Sequence, residues 1–124
     1  MAIGAKKWVI PEGYIPPGSM EGADRTLISH ETACILNAGK RDAHLTITIY
    51  FADRDPVGPY RITVPAKRTS HVRFNDLDDP KPVPAGTDYA SVIESDEPIV
   101  VQHSRLDSRA PEIALMTTMA WSAG

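Results

Sequence analysis

The stretch "HLTITIYF", residues 44–51, decides the fold class. Leu45, Ile47, Ile49 and Phe51 fall on one parity; His44, Thr46, Thr48 and Tyr50 fall on the other. Strand side chains alternate faces with a period of two. The stretch therefore reads as a half-buried strand, rich in β-branched and aromatic residues.

Neighbouring segments repeat the pattern. "ISHETACILN" (28–37) precedes it across the polar, Gly-containing connection "NAGKRD" (37–42), and the two are expected to form a hairpin. "YRITV" (60–64) and "HVRFN" (71–75) bracket "PAKRTS", a second expected hairpin, with Val72 and Phe74 facing in and His71, Arg73 and Asn75 facing out. "YASVIES" (89–95) and "IVVQHSR" (99–105) flank "DEP", a third. "KKWVI" (6–10) and "LMTTMAW" (115–121) are candidate terminal strands, the latter also compatible with a short helix. The chain carries 11 prolines, and the intervals between them are mostly too short for a helix. The expectation is an all-β fold: a single antiparallel β-sandwich of seven or eight strands with jelly-roll or Greek-key connections, spanning residues 1–124 as one domain.

Bulk properties narrow the function. At 124 residues, 42% of them apolar and 23% charged, the chain has the composition of a globular domain. Its net charge of −3 lacks the basic excess that supplies most nucleic-acid affinity. The lone cysteine, Cys34, lies in an apolar run and reads as a small buried hydrophobe, fitting a reducing compartment. No apolar run approaches the ~20 residues of a membrane span, so a soluble, cytoplasmic protein is expected. There is no P-loop, dinucleotide fingerprint or G-x-S-x-G elbow. The spacing of His30, His44, His71 and His103 matches no zinc signature, and neither a metal nor a cofactor is expected.

The charged residues that stand out lie in "IVVQHSRLDSR" (99–109). His103, Arg105, Asp107 and Arg109 are spaced two apart, so on an extended chain they form one file, with Ser104 pointing the other way. A Ser/His/Asp triad is therefore not built locally. Arginine's planar fork suits carboxylate or phosphate, and Arg73 and Arg105 have Glu12, Glu31 and Asp76 among their candidate partners. Two readings stay open: ion pairs within or between subunits, or a ligand pocket.

As a set, "EGYIPP", "ISHETACILNAG", "DAHLTITIYFAD", "PVGPYRITVPAKRT", "HVRFNDL" and "IVVQHSRLDSR" resemble the sensory rhodopsin transducer family. These are small soluble proteins named for a member that partners a cyanobacterial seven-helix photoreceptor. The resemblance runs from about Trp8 to the C-terminal strand. It implies a β-sandwich, a homotetramer, and a signal passed by binding without catalysis. Relatives also occur where no rhodopsin is expected, their sandwich resembles carbohydrate-binding domains, and DNA contact has been considered for the family.

Two functions are accordingly expected. One is a non-enzymatic transducer docking a membrane sensory rhodopsin. The other is a small-molecule sensor, for example of a sugar, with Trp8, Glu12, His30, Glu31, Arg73, Asn75, Asp76, His103 and Arg105 in or near the pocket. There Trp8 would stack, Arg73 and Arg105 would donate, Glu12, Glu31 and Asp76 would accept, and His103 could do either. DNA contact and an enzyme of sugar metabolism rank below both.

Overall fold

The computed structural model describes residues 2–124. Eight strands follow in order: β1 (Ala5–Tyr14), β2 (His30–Asn37), β3 (Ala43–Phe51), β4 (Val57–Val64), β5 (Arg68–Arg73), β6 (Asp88–Asp107), β7 (Ala114–Met119) and β8 (Trp121–Ser122). Every pairing is antiparallel.

The organising element is β6, 20 residues long. Its first half pairs with β1 and β3, extending the sheet order β4-β3-β6-β1-β8. Its second half pairs with β2 and β7, giving β5-β2-β6-β7. One strand thus belongs to both layers of an antiparallel β-sandwich. The apolar row of "HLTITIYF" does what its alternation requires: Leu45, Ile47 and Ile49 are buried, and His44 and Tyr50 are exposed. They share one core with Ala33, Ile35, Val72 and Val101 of the other layer. The ring of Phe74 packs on that of Tyr89 at 5.5 Å between centroids.

None of the three expected hairpins forms, and each has a local cause. Residues 88–107 run as one strand straight through "DEP". The pairing with β3 ends at Ser95 and that with β2 begins at Val100, while the β1 register jumps from Glu94 to Ile99. Pro98 therefore sits where the strand changes layers and no ladder asks for its missing amide. The "NAGKRD" connection crosses between layers instead of reversing the chain. Asn37, fully buried, pins it: its Nδ2 donates to the carbonyls of Arg41 (2.8 Å) and Val64 (3.0 Å), and its Oδ1 accepts from the Gly39 amide. The β4–β5 connection crosses beside it, with the Lys67 amide donating to the Gly39 carbonyl. Lys67 itself takes φ = 57°, the left-handed region that turns the corner.

Two boundaries also differ from the sequence reading. "HVRFN" leaves the sheet after Arg73, and Phe74–Asp76 form a 3-10 turn, although Val72 and Phe74 face in as expected. The C-terminal segment is strand as expected, but it begins at Ala114 and breaks at Ala120 into β7 and β8.

Candidate functional site

The inner face of the β2–β6 pair grades from core to rim. Ile35 lies opposite Val101, Ala33 opposite His103, and Glu31 opposite Arg105. Val101 is fully buried, His103 is 2% exposed, and Arg105 is half-buried. The alternation of "VQHSR" thus carries an apolar row directly into a polar one.

Glu31 is the hub. Its carboxylate is fully buried and accepts on both oxygens. Oε1 receives the backbone amide of Tyr14 and the hydroxyl of Tyr89 (3.3 Å). Oε2 receives His103 Nε2 (2.8 Å) and Arg105 Nε (3.1 Å). A buried charge is tolerated only when paired and hydrogen-bonded, and this one is both. Burial alone would push the Glu31 pKa up. The bonds from His103 and Arg105, with the Tyr14 amide, outweigh it and hold the carboxyl below the usual range. Tyr89 moves the other way: burial and the neighbouring Glu31 charge push it far above the ordinary phenol value, so it remains a donor.

Arg105 links this hub to solvent. Its Nη2 donates to Glu12 at 2.9 Å, and its guanidinium lies 5.9 Å from the centroid of the Tyr14 ring. Burial opposes its charge, but the bonds to Glu31 and Glu12 raise its pKa overall. Farther along the file Asp107 and Arg109 pair with each other at 2.7 Å. Ser104 faces the opposite side, near Cys34.

The nine residues singled out from sequence divide. Glu12, Glu31, His103 and Arg105 form one connected group. Asn75 braces it: its Oδ1 accepts the Glu31 amide and its Nδ2 donates to the Ser29 carbonyl. Arg73 donates to the Arg25 carbonyl and Asp76 pairs with the Arg25 side chain, tying down the 24–28 segment. His30 Nδ1 bonds the Ile28 carbonyl at 2.6 Å. Trp8 is 7% exposed, and its indole N–H is shared between the carbonyls of Ala5 and Ile99 at 3.0 Å each. It packs the core and offers no open stacking face.

Sequence reasoning missed Tyr14 and Tyr89. Tyr89 shares its parity with Ser91 and Ile93, both buried, and that alternation was a usable signal. Tyr14 acts through its backbone amide, for which side-chain identity carries no signal. A buried Ser29–Ser108 pair, 3.2 Å between hydroxyl oxygens, closes the rim behind Glu31.

His103 also lines a cavity of about 150 Å³ between β1 and the C-terminal strands, with Glu12, Ile10, Met116 and Thr118 among its walls. A larger one, about 390 Å³, lies elsewhere, between β4 and the 76–80 loop. Among the described residues no group of three His, Cys, Asp or Glu side chains could hold a metal ion. No helix there is long and apolar enough to cross a membrane.

The comparisons with known proteins agree with one another. Residues 3–122 match the family model described as Anabaena sensory rhodopsin transducer. The chain belongs to the sensory rhodopsin transducer family. The solved structure of the Anabaena sensory rhodopsin transducer is 61% identical, over 83% of this chain and 99% of that one, with a TM-score of 0.74. A Thermotoga maritima protein, 1070, is 36% identical over 97% of this chain and 96% of its own, with a TM-score of 0.85. No curated protein matches. A signal-transducing role follows from the family.

Proposed function

We propose that this chain is a cytoplasmic, non-enzymatic signal transducer that binds the inner face of a membrane sensory rhodopsin as a homotetramer. The observation that carries this reading is the 61% identity to the Anabaena transducer across nearly all of that protein. A second feature supports an assembling, docking protein. The C-terminal strands carry large apolar side chains in the open: Leu115 is 72% exposed, Trp121 64% and Met119 57%. Among the described residues β7 pairs with β6 alone, which leaves its outer edge open to another chain. Net charge of −3 gives no support to DNA contact.

The test is co-elution of the purified chain with a sensory rhodopsin held in lipid nanodiscs, on a sizing column that also reports the oligomer. Co-elution as a tetramer supports the reading; a monomer that never shifts in the presence of rhodopsin rejects it.

A second reading, a small-molecule sensor such as one for a sugar, is favoured by the cavity beside His103. Three of the groups expected to contact a ligand, Glu12, His103 and Arg105, lie together at that end of the sandwich.

A further inference from the structure

His103 is 2% exposed, yet hydrogen bonds from the described residues reach only one of its ring nitrogens, Nε2. The other, Nδ1, has no hydrogen-bond partner among the described residues, yet it is not sealed from solvent as Ser91 Oγ is. The ring borders the cavity between β1 and β7.

The hydrogen on the ring follows from its neighbour. Glu31 is an ionised carboxylate and only accepts, so Nε2 carries the hydrogen and donates to it. A ring carrying that one hydrogen presents Nδ1 as an acceptor. The second polar wall is the carboxylate of Glu12, which spends one oxygen on Arg105. Thr118 lies directly opposite His103 in the β6–β7 register and adds a hydroxyl. The remaining lining includes Ile10, Pro11, Met116 and Ala120. Two carboxylates, Glu12 and Glu31, face one guanidinium, Arg105, so the polar end holds a formal excess of one negative charge. At about 150 Å³ the cavity takes a small ligand, on the order of a benzene ring in size.

We propose that this cavity binds a small organic ammonium, its N–H groups on His103 Nδ1 and Glu12 and its apolar body against Ile10 and Met116. The inference deepens the second reading above, since it names the ligand class for that end of the sandwich. Two acceptors, His103 Nδ1 and the Glu12 carboxylate, against the single hydroxyl of Thr118 select a donor-rich head. The excess negative charge selects a cation over a neutral hydroxyl and excludes a carboxylate.

The test uses the whole chain, labelled at its imidazole nitrogens and methionine methyls, titrated with n-butylammonium, 1-butanol, butyrate and glucose at matched ionic strength. Butylammonium should saturate shifts at His103 and at the Met116 and Met119 methyls, with an affinity at least about tenfold above butanol. Butyrate should produce none. Thr118→Phe, which fills the cavity from an exposed strand position, should abolish the saturable shifts while the His103 Nε2–H signal persists. Glu12→Gln should weaken butylammonium about tenfold while leaving butanol nearly unchanged. Equal binding of butanol, or preference for butyrate or glucose, overturns the ammonium assignment but leaves a ligand site at this end. Silence at His103 from all four probes overturns the assignment and the sensor reading together.

Discussion

A Cβ placed on Gly13 would lie 2.5 Å from Cε2 of Tyr89, so the Tyr89 ring occupies the space that any side chain at position 13 would need. The two residues are cross-strand partners in the β1–β6 pairing. The absent side chain lets the ring lie flat across β1, and from there its hydroxyl reaches Glu31. Gly13→Ala should therefore destabilise the fold by about 1–3 kcal/mol, the range for overpacking a filled core. Urea unfolding measures it, and an unchanged midpoint would show that the ring has room to move.

Glu31 joins β1, β2 and β6 through its bonds to Tyr14, His103 and Arg105. Glu31→Gln keeps the volume but removes the charge that the Arg105 guanidinium and the His103 N–H face. Breaking a buried pair on one side typically costs about 3–5 kcal/mol, and the lower end applies here because Arg105 is part-exposed and retains Glu12. Tyr89→Phe removes one donor of several and should cost about 1 kcal/mol. Equal losses for the two variants would contradict the hub role of Glu31.

The same carboxylate sets the acid limb of stability. Its folded pKa lies below the ordinary glutamate value. The unfolded chain therefore binds the proton more readily, and stability rises with pH across that interval. The contribution is complete above the unfolded value of about 4.3 and disappears as pH falls through the lower folded value. Urea midpoints taken from pH 7 downward should fall below about pH 5 in the parent, and more shallowly in Glu31→Gln. Parallel curves for both proteins would place the acid sensitivity elsewhere.

The free edge of β7 predicts a dependence of assembly on apolar surface. Leu115→Lys combined with Trp121→Ala should shift the oligomer to smaller species on a sizing column without lowering the core's thermal transition. Both side chains are exposed in the single chain, so neither holds it together. An unaltered elution volume would remove this edge from the interface.

Much of the scaffold was legible because it rests on parity. Ile47 and Ile49 point inward because every second residue must, and His103 and Arg105 share the face of Glu31 for the same reason. Connectivity was not legible. Proline, glycine and acidic residues around "DEP" have turn chemistry, yet β6 continues through them because the chain changes layers there and needs no ladder bonds. "NAGKRD" looks like a hairpin loop, but buried Asn37 binds carbonyls from two elements and fixes a crossing. The site was read in part. Of the candidates drawn from separate strands, Glu12, Glu31, His103 and Arg105 meet, whereas Asp76 and Arg73 are occupied by Arg25 and Trp8 by backbone carbonyls. Those pairings depend on loop paths that local pattern does not encode.

The proposed transducer role depends on binding to a membrane photoreceptor. The most direct measurement is isothermal titration of the chain into sensory rhodopsin from Anabaena in lipid nanodiscs, with empty nanodiscs as reference. Saturable heat at a fixed stoichiometry, lost when rhodopsin is omitted, is the expected result. Identical heats for loaded and empty nanodiscs across micromolar concentrations would contradict it.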